Sequence, residues 1–351
     1  MPKLHDTEFF TEFIDYYDKA STLQQINVAS ENGRDTSEDL HVDDPLMHHI
    51  TIYDTVDRRF AGFSNMLQQI WFGSDNPKRW QAESKYDKLH DELIEEEWLW
   101  LFLFHRLTGS GASFSHDHGF RNTLIPEILE NARTIQEMRD FTLRTMRTGQ
   151  PIFTSIGNTI PMFPKPRAPY ERASEFYFAE YMNHLVRFVH QKLMDEPLKR
   201  SVREVVDLIN AWHREHGLKC FHFQMTAWAM DIAEYFPRYI DQYSRVNYGK
   251  NAVEALETLF VGEGFKNKSQ FLDAAMDRVV DSVRSPMNPE DHTRGMAVAY
   301  SAEDVACDFI RYLGCYVPQG YEHLEPWQVE NRSKVDYPKH WTYELHVESK
   351  K

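Results

Sequence analysis

The sequence has few cysteines and lacks a long apolar run. Its three cysteines are scattered, and none belongs to a Cys-x-x-Cys pair. This argues against a zinc ribbon or a disulfide framework and favours a reducing compartment. The longest apolar run, Trp98–Phe104, is too short to cross a bilayer, and the first residues lack the apolar stretch of a signal peptide. We therefore expect a cytoplasmic protein with no membrane partner.

Basic residues are also fewer than acidic residues. The 351 residues include 39 Lys and Arg against 54 Asp and Glu, which gives a formal net charge of −15. An acidic chain gains little from long-range attraction to nucleic acid. The balance therefore argues against an abundant, non-specific DNA coat. It is compatible with an enzyme that grips DNA through one local basic groove.

The remaining composition indicates a mostly α-helical fold with irregular Pro-rich loops. Apolar residues make up 42% of the chain and aromatic residues 14%, enough for the core of a large domain or of two closely packed ones. Five prolines between 150 and 170 predict a rigid extended loop. We expect a soft boundary there, between regions 1–150 and 151–351, or else one compact domain. Apolar spacing predicts helices at about 1–30, 54–72, 87–107, 126–147, 173–195, 200–215, 223–235, 250–260, 267–284 and 302–313.

The segment from His105 to Asn122 concentrates reactive side chains at the end of a predicted helix. Its glycines allow the backbone to approach a ligand closely, and its serines and free N–H groups suit phosphate oxygens. The arginines suit bidentate phosphate contacts, and the histidines and the aspartate are acid–base groups. The catalytic candidates are His105, Arg106, His116, Asp117, His118, Arg121 and Asn122, with Ser110 and Gly111 as substrate-binding candidates.

Other interpretations of this segment stay open. It is not a Walker A loop, because no Gly-Lys-Ser/Thr follows, and it does not follow a strand as a dinucleotide fingerprint does. His116 and His118 offer a metal site, together with His105 or with His48 and His49, but no helical His-Glu-x-x-His pair occurs. We expect no metal and no other cofactor. The plainest alternative is a Gly-rich surface loop that carries charges.

Two later segments add candidates for binding. The Pro-rich loop contains two basic residues, Lys165 and Arg167. They either bind an anion or are simply exposed to solvent. In the segment 220–252, Gln224 and Asp231 interrupt an apolar helix, and a buried carboxylate is costly unless it is paired or functional. The start of the next helix, after Gly249, resembles an element that holds an anion or a DNA backbone; an ordinary turn and N-cap is the alternative. The DNA-binding or substrate-binding candidates are Lys165, Arg167, Gln224, Asn247, Lys250 and Asn251.

Together these segments resemble the phage α-glutamyl/putrescinyl-thymine pyrophosphorylases, also described as amino acid:DNA transferases. The resemblance rests on His105-Arg106, the 109–122 loop, Pro164-Lys165, and residues 223–224 through 248–252, and it covers about residues 95–260. It implies a helical domain distantly similar to helix–hairpin–helix DNA glycosylases and to the helical domain of 5-hydroxymethyluracil DNA kinases. In such domains an acidic residue after the helix turn lies near the target nucleotide. Asp241 is the matching candidate and Asp231 the alternative, although Leu218–Phe223 replaces the usual Gly-x-Gly hairpin.

The resemblance also implies a reaction and its partners. The substrate is double-stranded DNA that carries pyrophosphorylated 5-hydroxymethyluracil, in the host cytoplasm if the chain is phage-encoded. A small amine, either an amino acid or a polyamine such as putrescine, replaces pyrophosphate at the exocyclic methylene. Departure of pyrophosphate needs cations where charge develops, and the amine needs a general base, for which His116, Asp117 and His118 are candidates. The alternatives are a glycosylase-like DNA-binding protein, a metal-dependent phosphohydrolase that uses the same three residues, and a structural protein.

Overall fold

The computed structural model describes residues 2–31, 40–42, 47, 56–57, 64–76, 82–108, 124–148, 169–170, 173–195, 198–283 and 299–313. These residues are mostly helical, which confirms the prediction of a mostly α-helical protein. In chain order the elements are β1 (Lys3–Asp6), α1 (Glu8–Glu31), α2 (Asn65–Phe72), α3 (Leu89–Glu92), α4 (Glu95–Thr108), α5 (Leu124–Asn131), α6 (Ile135–Arg147), α7 (Ala173–Phe176), a π-helical turn (Tyr177–Tyr181), α8 (Met182–Met194), β2 (Arg200–Ser201), α9 (Val202–Glu215), α10 (His222–Tyr235), β3 (Ile240–Asp241), α11 (Lys250–Leu259), β4 (Phe260–Glu263), α12 (Lys268–Ser282) and α13 (Ala299–Leu313).

The chain divides into two compact units. The central unit is Gly62–Asn247, and the terminal unit combines Met1–Ala61 with Tyr248–Lys351. This division differs from the boundary predicted near 150–170, because helices on both sides of the Pro-rich segment belong to the central unit. Contacts within a unit form between distant parts of the chain, and local composition does not reveal them.

Helix α4 forms the core of the central unit. It packs against α8 and α10, and every residue from Glu97 to Thr108 is buried. A helix that is apolar on all sides belongs inside a fold. Its two neighbours each make a polar contact with it: Trp100 Nε1 donates to Asn183 Oδ1 at 2.9 Å, and Trp228 Nε1 donates to the Leu99 carbonyl at 3.1 Å.

The predicted helix 87–107 is broken, and the reason is a pair of side-chain contacts. The Asp87 carboxylate accepts hydrogen bonds from the backbone N–H and the hydroxyl of Ser74, at 2.7 and 2.8 Å. The chain then forms the short α3, and Glu97 Oε2 accepts from the Ile94 N–H at 2.7 Å. This contact gives an acceptor to the Ile94 N–H, which has no acceptor within the helix, and the long helix α4 therefore begins at Glu95.

The predicted helix 126–147 is also two helices. Thr134 and Glu137 form a capping box, in which each side chain accepts from the backbone N–H of the other. This capping box begins a separate helix, α6, at Ile135. The prediction that a helix begins near 54 was likewise wrong, because residues 56–57 form a bend and α2 begins at Asn65.

The terminal unit combines α1, α11, α12 and α13 with a small sheet. Strand β1 pairs antiparallel with β4, with Lys3 opposite Glu263 and Asp6 opposite Phe260. Aromatic rings of α1 pack on α13, with ring centroids of Phe13 and Phe309 5.3 Å apart. The sequence showed no strand alternation, so this sheet was not predicted. Among the described residues, no helix is long and apolar enough to cross a membrane.

Candidate functional site

Much of the predicted site lies outside the described residues. This applies to Ser110, Gly111, His116, Asp117, His118, Arg121, Asn122, Lys165 and Arg167. The described candidates are His105, Arg106, Gln224, Asp241 and Asn247 in the central unit, and Lys250 and Asn251 in the terminal unit.

His105 and Arg106 lie in the last turn of α4, directly before the Gly-rich segment. Both are buried, with 0% and 8% of the residue exposed. Arg106 Nε donates to Asp231 Oδ2 at 2.5 Å, and Arg106 Nη2 donates to Asp231 Oδ1 at 2.6 Å. Asp231 lies on α10 and is 1% exposed. Two donors of Arg106 thus form a fork-to-fork pair with a carboxylate of the protein.

Helices α9 and α10 form a hairpin. They pack against each other, and six residues join them. Gly217 has a φ of 65°, and the Leu218 N–H donates to the His213 carbonyl at 2.8 Å, which closes the end of α9. The turn places the side chains of Lys219 and His222 in solvent, while Phe223 is 41% exposed. Gln224, a predicted binding residue, is half-buried in the first turn of α10.

A buried histidine that was not among the predicted candidates holds this hairpin in place. His213 is 0% exposed. Its Nε2 lies 2.7 Å from Tyr181 Oη, and its Nδ1 lies 3.1 Å from Asn210 Oδ1. The same Asn210 oxygen accepts from the Phe221 N–H at 3.1 Å. Because that oxygen is an acceptor, Nδ1 carries the proton and Nε2 accepts from the tyrosine.

The electrostatics of this network keep His213 neutral. Burial lowers the pKa of His213 from 6.5 to about 4, and the charges of His216 and Arg214 act in the same direction. Burial also raises the pKa of Tyr181 above its usual value. Tyr181 belongs to the π-helical turn, an uncommon element that often marks functional or strained positions. A signal existed: His213 follows Val202, Val206 and Ile209 on the apolar stripe of α9.

Asp241 forms part of a turn that follows α10. Its side chain is 44% exposed and lies 3.7 Å from Lys199 Nζ. One carboxylate oxygen accepts from the Tyr243 N–H at 3.3 Å, an arrangement typical of aspartate in turns. Strand β3 pairs in parallel with β2, with Asp241 opposite Ser201. Asn247, the last residue of the central unit, is half-buried.

The start of α11 already holds an anion that belongs to the protein. The N–H of Gly249, the N-cap residue, donates to Glu303 Oε1 at 2.7 Å, and Glu303 on α13 is 2% exposed. A carboxylate therefore occupies a position that the sequence had suggested for a phosphate. Lys250 is exposed and Asn251 is half-buried in the same turn. Their role in binding DNA stays a prediction.

In the described part of the chain, no group of three or more His, Cys, Asp and Glu side chains is placed to hold a metal ion. Cys220 is a free thiol, and it donates to the Asn210 carbonyl at 3.6 Å. This contact favours a packing role for Cys220.

The net negative charge is distributed unevenly. The terminal unit has 17 Lys and Arg against 30 Asp and Glu, whereas the central unit has 22 against 24. Nearly all of the excess negative charge thus belongs to the terminal unit. Comparison with family models, with curated proteins and with solved structures gives no match for this chain.

Proposed function

We propose that this protein is a transferase that modifies thymine-derived bases in double-stranded DNA. It replaces the diphosphate of pyrophosphorylated 5-hydroxymethyluracil by a small amine, an amino acid or a polyamine. One observation carries the proposal: the Arg106–Asp231 pair links residues 125 positions apart. These residues belong to the two segments, 105–122 and 220–252, on which the resemblance to the amino acid:DNA transferases rests. Segments that act together in one site must be held together, and this pair does so.

The α9–α10 hairpin supports the likeness to helix–hairpin–helix DNA glycosylases. Two packed helices are joined by a short turn, and a glycine in the left-handed region allows it. Lys219 and His222 project into solvent at this turn. A cation and the one remaining N–H of an exposed imidazole, beside a helix start, suit contacts with a DNA backbone. Asp231 and Asp241, the two acidic candidates, both follow the turn.

The charge distribution supports a DNA partner for the central unit. Its 22 basic residues nearly balance its 24 acidic ones. The general repulsion expected between an acidic chain and DNA therefore applies to this unit only weakly. Local cations on a nearly neutral unit suffice to contact phosphates.

The proposed reaction is a substitution at the exocyclic methylene carbon. The amine nitrogen forms a bond to that carbon, the bond from carbon to the diphosphate oxygen breaks, and the electron pair leaves with diphosphate. His116, Asp117 or His118 takes the proton that the amine loses. Arg121, Ser110 and Lys165 stabilise the charge on the leaving diphosphate. The target base leaves the helical stack to reach these groups.

The test is a product assay with defined DNA. The full-length protein is incubated with a duplex that contains 5-pyrophosphomethyl-uracil and with a pool of amino acids and polyamines, and the digested nucleosides are examined by mass. We expect an aminated thymidine analogue and one diphosphate per product. Arg121→Ala and His118→Ala should each suppress the product. Arg187→Ala and His184→Ala are matched controls, since both residues are exposed on α8.

Other outcomes would identify other functions. Release of the free base would favour a glycosylase. Release of phosphate without an amine adduct, abolished by a chelator, would favour a metal-dependent phosphohydrolase. If no amine gives a product, the transferase proposal is wrong. If the two site variants retain full activity, the site lies elsewhere.

A further inference from the structure

The Arg106–Asp231 pair is the most deeply buried ion pair among the described residues. The side chains of Arg106 and Asp231 are 8% and 1% exposed, whereas those of the next most buried described pair, His190 and Glu95, are 17% and 25% exposed. Arg106 is three positions before Gly109, where the Gly-rich segment begins. The pair thus lies at the base of the segment that carries the predicted catalytic residues.

The geometry argues against Arg106 as a phosphate ligand through these donors. Nε and Nη2 both point at Asp231. Turning them toward a substrate would break the pair with the buried Asp231 carboxylate, and the loss of one partner of a buried ion pair is strongly unfavourable. An arginine that bound and released diphosphate in each reaction would have to break and re-form this buried pair every time.

A second contact shows what the pair accomplishes. Helix α10 bonds α4 at two points: Trp228 Nε1 donates to the Leu99 carbonyl, and Asp231 accepts from Arg106. Leu99 and Arg106 are about two helical turns apart on α4. Two polar attachments at this spacing fix both the rotation and the sliding of α4 against α10. Apolar contacts alone are less directional.

We propose that Arg106 and Asp231 are positioning residues, which fix on α10 the end of α4, the helix that directly precedes the Gly-rich segment in the sequence. This inference rests on the proposed function, since the activity that it positions is the transferase activity. The direct contacts to diphosphate then fall to other cations of the site. In this role Asp231 acts through Arg106, whose guanidinium it holds.

The decisive variants are Arg106→Met, Asp231→Leu and the double variant. Replacement of a buried ion pair by apolar residues of similar volume often preserves stability, so the double variant keeps the test valid if a single variant fails to fold. We expect the double variant to fold and to lose about tenfold or more in kcat with a smaller change in KM for the DNA, because misplacement of catalytic groups acts mainly on the transition state. Leu103→Met on α4 is a matched apolar control that should retain wild-type kcat.

Hydrogen exchange supplies a readout that does not depend on activity. We expect amides of residues 105–108 to exchange about tenfold faster in the double variant, while those of α8 are unchanged. Wild-type kcat and wild-type exchange in the double variant would overturn the inference and leave the proposed function intact. Loss of kcat in Arg106→Met with wild-type kcat in Asp231→Leu would also overturn it, since Arg106 would then act directly.

The two proposals fail in different ways. If the wild-type protein forms no product with any amine, the proposed function is wrong. The exchange of residues 105–108 then decides by itself whether the pair holds the end of α4. Faster exchange in the double variant supports that attachment, and unchanged exchange refutes it.

Discussion

His213 makes the stability of the central unit depend on pH. Burial lowers its pKa from 6.5 to about 4, whereas the same imidazole in the unfolded chain titrates near its ordinary value. Between these two values the unfolded chain binds a proton that the folded chain does not. The stability that depends on neutral His213 is therefore fully present above pH 6.5 and is lost as the pH falls toward 4.

The size of the effect follows from the shift. Each unit of pKa difference corresponds to about 1.4 kcal/mol. Between about pH 7 and about pH 5, the titration of His213 alone removes about 2 kcal/mol from the free energy of unfolding. His213→Gln eliminates the titrating ring and keeps an amide that can accept from Tyr181 and donate to Asn210. We expect this variant to be less stable than the wild type at neutral pH, and to lose about 2 kcal/mol less on acidification.

Urea unfolding measures this difference directly. Wild type, His213→Gln and the control His184→Gln, which alters an exposed histidine of α8, are unfolded at neutral and mildly acidic pH and followed by circular dichroism and tryptophan fluorescence. Because the other histidines are common to the three proteins, their titration cancels in the comparison. If His213→Gln loses as much stability as the wild type on acidification, His213 is not held neutral by the fold.

Substitutions at three other positions test local contacts by the same unfolding measurement. Ser201→Ala removes the capping box of α9 and should cost about 1 kcal/mol; an unchanged midpoint would show that the cap contributes nothing. Glu303→Ala takes the acceptor from the Gly249 N–H and should cost about 1–3 kcal/mol, while Glu303→Gln, which keeps an acceptor, should cost less; equal losses would contradict the proposed contact. Gly262→Ala would place a Cβ 2.5 Å from a ring carbon of Phe271 and should cost about 1–3 kcal/mol through overpacking; a variant as stable as the wild type would refute this.

Helices whose ends are set locally were predicted well. Helix α10 was expected at 223–235 and spans His222–Tyr235, and α11 was expected at 250–260 and spans Lys250–Leu259. Their apolar spacing and the adjacent turn residues are readable in the sequence itself. The break before α4 was not, because Asp87 reaches back to Ser74, thirteen positions away. In the sequence alone, Asp87 at the start of an apolar helical pattern indicates the acidic first turn of a helix. Only the structure shows that its carboxylate instead binds Ser74.

In the candidate site, too, local features were predicted and contacts between distant residues were not. The sequence indicated that Asp231 must be paired or functional, since a buried carboxylate is costly. It also assigned Arg106 to a phosphate, because an arginine beside a Gly-rich segment suits one. Each residue taken alone was interpreted correctly as a charge in need of a partner. That they are partners of each other depends on the packing of α4 against α10, which no local pattern encodes.

For binding to a partner, the informative net charge is that of the unit that contacts the partner, and not that of the whole chain. The value of −15 for the chain argued against long-range attraction to DNA, and that argument assumes that the charge is spread over every surface. The terminal unit holds 30 acidic residues against 17 basic ones, while the central unit, with 24 against 22, is close to neutral. Long-range repulsion is screened within about 10 Å at moderate ionic strength, so the affinity of a local groove depends on the charges of its own unit. We infer that if the protein binds DNA, the central unit makes the contact, and the acidity of the whole chain neither requires nor forbids it.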